Sequence, residues 1–164
     1  MAPAKQLQLQ LVQDESNWSR LRLSGPLNEE AKAVLAPYLV SLGQRLILDF
    51  DGITSLNSSG IRDWALFIKQ LKNGRTIEFD LCPEEVVRAI NMVPNFSAGL
   101  PIRSVKRQYT CDSCKLHEEL TFRLNKDYKP DEIPKIPVKN CQRCGTALEP
   151  AEPDEEFFIF LTSP

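Results

Sequence analysis

Two pairs of cysteines constrain this chain more than any other feature. Cys111 with Cys114 and Cys141 with Cys144 form two C-x-x-C pairs, and twenty-six residues separate them. Each pair can turn both sulfurs toward one ion while the chain between them folds back, which matches a closed tetrahedral site of four thiolates. Gly145, directly after the second pair, allows the left-handed turn that aims backbone amides at sulfur. The spacing therefore predicts one structural zinc ion held by Cys111, Cys114, Cys141 and Cys144. Iron in the same geometry, two disulfides and a redox C-x-x-C are the alternatives. Disulfides suit a secreted chain, and a redox site uses one pair at a helix start rather than two matched pairs. Four sulfur ligands leave no position for a reacting water, so a zinc-dependent enzyme is not expected. His117 reads as a surface residue, and the isolated Cys82 reads as a buried apolar side chain.

Composition changes where the cysteines begin. Of the twelve prolines, six lie beyond Gln108, and thirteen basic against eleven acidic residues up to Gln108 give way to seven against eleven after it. A boundary near Arg107 follows, with one domain over 1–107 and a second over 108–164, and it implies that metal removal unfolds the tail while largely sparing the first domain. Leu120, Phe122 and Leu124 alternate with polar residues as a strand, 157–161 reads as a terminal Phe-rich strand, and 125–140, with Pro130, Pro134 and Pro137, reads as an extended loop. This small β unit resembles a zinc ribbon, a class that binds nucleic acids or proteins. Glu149, Glu152, Asp154, Glu155 and Glu156 make it acidic, against Lys115, Arg123, Lys139 and Arg143, so nucleic acid is not the expected partner. The whole chain of 164 residues carries a net charge of −2, too balanced for binding driven by phosphates or an anionic membrane. It has no apolar run of the roughly eighteen residues that span a bilayer, and its start lacks the pattern of a signal peptide. A cytoplasmic protein is expected.

The first hundred residues alternate strand and helix. A hairpin over 7–12 and 18–23 ends at Gly25 and Pro26, and Asn28 with Glu29 and Glu30 starts a helix, since these residues favour the positive helix end. Ala31, Val34, Leu35, Tyr38, Leu39 and Leu42 form its apolar stripe, which Pro37 should kink. Residues 46–50 read as a buried strand that Asp51 and Gly52 close. Ile61, Trp64, Ala65, Ile68 and Leu71 mark a second helix, and Phe67 falls off that stripe, at the edge of the core or exposed. A strand over 76–81, a third helix from Pro83 and a strand over 102–109 complete the order β-β-α-β-α-β-α-β. The expected fold class is α/β, a mixed sheet with helices followed by the small β ribbon.

The run "LILDFDGITSLNSSGIRDWALFIKQLK" over 46–72 resembles the core motif of STAS domains, the anti-sigma factor antagonist family. In that family a buried strand, an Asp-Ser-Ser-Gly loop and a helix follow one another. Residues 25–28 stand at its turn before the first helix, and 73–75 stand at its glycine turn. The resemblance implies a non-enzymatic bacterial signalling protein. Its partner would be an anti-sigma factor with a kinase-like ATPase fold, meeting Asn57, Ser58, Ser59, Gly60 and Arg62. It also implies that Ser58 is the residue a kinase modifies. The sequence departs from the family at Asn57, where the family has Asp, and at 61–63, where it has a small Leu-Gly run. The bland alternative is that Asn57, Ser58 and Ser59 only cap a helix. A zinc-ribbon adaptor for protein assembly is the second functional alternative, and self-association is open in either case. Asp49 and Asp51 read as strand-end and turn residues, not as ligands.

Overall fold

In a computed structural model, which describes residues 5–162, the hairpin forms as expected. The first four residues, where the reading of the amino terminus begins, lie outside that range. β1 (Gln8–Gln13) and β2 (Ser19–Leu27) pair antiparallel, with Leu9 opposite Leu23 and Leu11 opposite Leu21. The chain then runs through α1 (Ala31–Leu35), α2 (Tyr38–Ser41), β3 (Arg45–Leu56), α3 (Ser58–Leu71), β4 (Thr76–Asp80) and α4 (Glu84–Met92). Strand order is β1-β2-β3-β4, and both β2–β3 and β3–β4 are parallel, the pairing that needs a crossover between neighbours. The fold is therefore α/β with a mixed four-stranded sheet. A smaller antiparallel sheet follows, ordered β6-β5-β7, from β5 (Ser104–Thr110), β6 (His117–Arg123) and β7 (Glu149–Pro150).

Two local expectations change. Pro37 divides the first helix instead of bending it, because it caps the start of α2 while α1 has already ended at Leu35. Asp51 and Gly52 do not close β3. The parallel pairing with β2 continues past them, Gly52 beside Ser24 and Leu56 beside Leu27, through two register shifts.

The core side of the sheet is built from alternate residues: Leu21, Leu23, Leu46, Leu48, Phe50, Ile77 and Phe79 are all buried. α3 covers them with Trp64, Phe67, Ile68 and Leu71, so Phe67 belongs to the core. The Trp64 ring meets Phe50, Phe67, Phe79 and Phe96 at centroid separations of 5.3, 5.5, 6.0 and 5.9 Å. Its indole N–H donates to the Phe96 carbonyl at 2.9 Å, so burial leaves no donor unpaired. Cys82 is buried in the same core, and burial, with the charges of Asp80 and Asp49, pushes its thiol pKa well up. The opposite side of the strands is ionic. Three nitrogens of Arg20 donate to Asp14, Asp49 and Asp80 at 2.8, 2.9 and 3.0 Å. Burial works to lower the Arg20 pKa, but these carboxylates hold it raised. Asp49 is thus a structural ion-pair partner, and Asp51 pairs with Lys106.

The strand of β5 belongs to both halves of the molecule. Phe79 donates its N–H to Pro101 O at 2.9 Å, Arg103 to Phe79 O at 2.7 Å, Cys82 to Ser104 O at 3.1 Å and Lys106 to Cys82 O at 2.8 Å. Residues 101–106 therefore run parallel beside β4, and 104–106 pair on their other side with β6. Arg107, where composition put the boundary, lies inside β5 and is fully buried. The apolar core is continuous across it, from Phe79 and Cys82 through Val105 to Tyr109, Cys111, Phe122 and Phe158.

The expected terminal strand over 157–161 is helical: α5 (Asp154–Phe157) leads into a 3-10 turn at Ile159–Leu161. Pro153 followed by Asp154, Glu155 and Glu156 is a helix start, and five apolar residues without alternation carry no period to oppose it. Arg107 fastens this segment, donating to Asp154 Oδ1 at 2.6 Å and stacking over Phe157 at 4.8 Å. Among the described residues no helix is long and apolar enough to cross a membrane.

Candidate metal centre and helix-entry loop

The two C-x-x-C pairs fold into knuckles of matching geometry. In the first, Lys115 N–H donates to Cys111 O at 2.8 Å and Cys111 N–H to Leu116 O at 2.9 Å. In the second, Gly145 N–H donates to Cys141 O and Cys141 N–H to Thr146 O, both at 2.8 Å. The residue after each second cysteine is left-handed, φ 58° at Lys115 and 77° at Gly145. The glycine announces this turn in the sequence, while Lys115 adopts it against its own preference, which is why only one of the two left-handed turns is legible there.

β5 ends at Thr110 and delivers Cys111, and the bridge between Asn140 and Ala147 holds the second knuckle closed. The four sulfurs meet. Cys111 Sγ lies 3.4 Å from both Cys114 and Cys144, Cys114 lies 3.5 Å from Cys141 and Cys144, and all four are within 4.8 Å of one another. A tetrahedral ion with bonds of about 2.3 Å sets sulfurs about 3.8 Å apart, so the cluster matches the size of a metal site. All five cysteines are free thiols, and these separations far exceed the roughly 2.05 Å of a disulfide.

Cys111 and Cys141 are buried, while Cys144 faces solvent beside Thr146. The Thr146 hydroxyl, 3.3 Å from Cys144 Sγ, and the Thr146 backbone N–H bring the Cys144 pKa down to about 6. Cys114 is pushed up to about 12, chiefly by its bond to Cys111. Ser113 and Thr146 hydroxyls meet at 3.0 Å across the knuckles, a polar bridge that the cysteine spacing does not announce. His117 is exposed and sits 3.2 Å from Thr110 Oγ1, so it is no ligand here.

The second candidate site is the entry to α3. Asn57 is extended, φ −122° and ψ 171°, and its Oδ1 accepts from Gly60 N–H at 2.8 Å. The cap is therefore Asn57 alone among the three polar residues. Ser58 and Ser59 are the first helical residues, Ser58 and Arg62 are exposed, and Gly60 is buried. Asn57 N–H donates to Leu27 O at 3.1 Å, and Asn57 Nδ2 donates to Glu29 Oε2 at 2.9 Å. The end of β2 and the residues after it thus fix the helix start, a relationship between residues about thirty apart that motif reading does not reach. Beside this entry a groove of about 330 Å³ runs between β3 and α4, lined by Leu56, Ile61, Ala89, Met92 and Val93, with Glu85 and Arg88 at its rim.

No protein-family model matches the chain, and no curated protein matches it.

Proposed function

We propose that this chain is a STAS-like signalling module with a structural zinc ribbon, acting by protein recognition and not by turnover. Its partner is an anti-sigma factor with a kinase-like ATPase fold or a related regulatory protein, and the contact surface is Asn57, Ser58, Ser59 and Arg62, with Gly60 buried beneath them against Leu27. The observation that carries this reading is the exposed Ser58 at the first helical position of α3, next to an apolar groove. A phosphate there would meet the unpaired amides and positive end of a fourteen-residue helix. It would place nearly two negative charges on the contact surface without requiring the helix to move.

Zinc suits the four-thiolate donor set better than hard cations, which prefer oxygen. When bound, it would close the ribbon with Cys111, Cys114, Cys141 and Cys144. The test is affinity capture from the native cell. Wild type and Ser58→Ala should retain one specific partner, and Ser58→Asp should lose it. If Ser58→Asp captures the same partner equally and kinase treatment leaves Ser58 unmodified, the loop is a helix entry and nothing more.

A further inference from the structure

β1 is an edge strand, and nothing in its sequence guards that edge. The order β1-β2-β3-β4 leaves one side of β1 without a strand among the described residues. Natural edges are blunted by Lys, Pro or a bulge, because a row of unpaired N–H and C=O groups templates another strand. Here the run from Gln6 to Gln13 has no charge, no proline and no glycine, and β1 pairs with β2 without a register shift. Leu9 is only half-buried and Leu11 is 46% exposed, although both stand on the core side beside Leu23 and Leu21.

We propose that this edge pairs with the same edge of a second copy of the chain, antiparallel about a two-fold axis through Gln10. The strand pattern fits itself there. With Gln10 opposite Gln10, Leu9 faces Leu11 on both sides of the axis and Gln8 faces Val12, so apolar meets apolar on the core side. Because facing residues lie on the same side of a sheet, the two helix-covered faces stay aligned. An uncharged edge also lets two identical copies pair without like charges meeting. The two four-stranded sheets then join into one, and Leu11 gains the cover that a single copy does not give it. The surface is separate from the α3 entry, so each copy keeps its Ser58 loop.

Sedimentation or light scattering of the full chain across the micromolar range tests this. Wild type should approach twice the chain mass of 18.6 kDa, and Leu11→Lys, with unchanged circular dichroism, should weaken the dimer by at least tenfold. Gln10→Cys is the second variant, chosen because it keeps the strand. With oxidised glutathione, its position-10 peptide should be recovered as a disulfide with its own copy, and Gln8→Cys should give no such product. A wild type that stays at the single-chain mass overturns the proposal. So does a dimer indifferent to Leu11→Lys that gives no Gln10→Cys link, and so does a monomer that takes up a foreign extended peptide along β1.

Discussion

The missing side chain of Gly60 faces the backbone of Leu27: a Cβ added at Gly60 would lie 2.0 Å from the Leu27 carbonyl oxygen and 2.3 Å from its carbon. That oxygen already accepts from Asn57 N–H, so neither element is free to withdraw. The helix entry is pressed against the end of β2, and this contact presents Ser58 outward.

Gly60→Ala should therefore cost about 3 kcal/mol or more, since backbone and not a flexible side chain must move. Asn57→Ala should cost about 1 kcal/mol for the lost cap, whereas Ser58→Ala should stay within about 0.5 kcal/mol. Urea melts of the three variants check the order. A Ser58→Ala loss equal to that of Asn57→Ala would place the cap on the wrong residue.

Periodicity and turn residues made most of the α/β order legible, because buried strands and the stripe of α3 write their period into the sequence. The four thiols were legible from spacing alone, since two knuckles around one ion leave few other patterns. What stayed hidden depended on distant partners. Residues 157–161 follow a local helix start at Pro153, and what stayed hidden is that Arg107, about fifty residues away, fastens the acidic start of α5. β5 spans the compositional boundary because its first residues pair beside β4, and composition cannot see a shared strand.

Arg107 itself gives a second test. It is fully buried, bonded to Asp154, Tyr109 Oη and Glu152 O, and stacked on Phe157. Breaking a buried pair costs about 3–5 kcal/mol. Asp154 is 24% exposed, so Arg107→Met should fall at the lower end of that range, and Asp154→Ala should cost less. A double-mutant cycle read by denaturant melts should show coupling. Additive effects would mean that the two side chains do not hold α5 together.

The cap should also respond to acid. The backbone N–H of Glu29 and then the Asn57 side chain hold the Glu29 carboxyl below its ordinary value. A carboxyl depressed in the folded state stabilises fully above its unfolded pKa, and that contribution is lost as pH falls through the lower folded value. The Gly60 amide resonance should accordingly titrate below the ordinary glutamate range, and Glu29→Gln should remove that step. A Glu29 that titrates at the unperturbed value contradicts the geometry.

Metal removal should reach beyond the ribbon. Four-ligand zinc modules gain about 10–16 kcal/mol from the ion, which exceeds or matches the roughly 5–15 kcal/mol that holds a whole domain. If the four thiols hold zinc as proposed, the ribbon is expected to lose its fold when the ion is removed. An independent tail would then unfold alone, but β5 is hydrogen-bonded beside β4 and also carries the ribbon sheet, and Asn91 of α4 donates to the carbonyls of Glu156 and Phe157. Loss of Cys111 and Cys141 packing would therefore loosen β5, and β4 and α4 would lose their neighbour. Elemental analysis should find one zinc per chain. After chelation, or in Cys141→Ser, hydrogen exchange should quicken in β4 and α4 as well as in β6, while the hairpin of β1 and β2, farthest along the sheet, should change least. If exchange rises in the ribbon alone, the shared strand does not transmit the loss, and the boundary near Arg107 is a true domain boundary despite the continuous core.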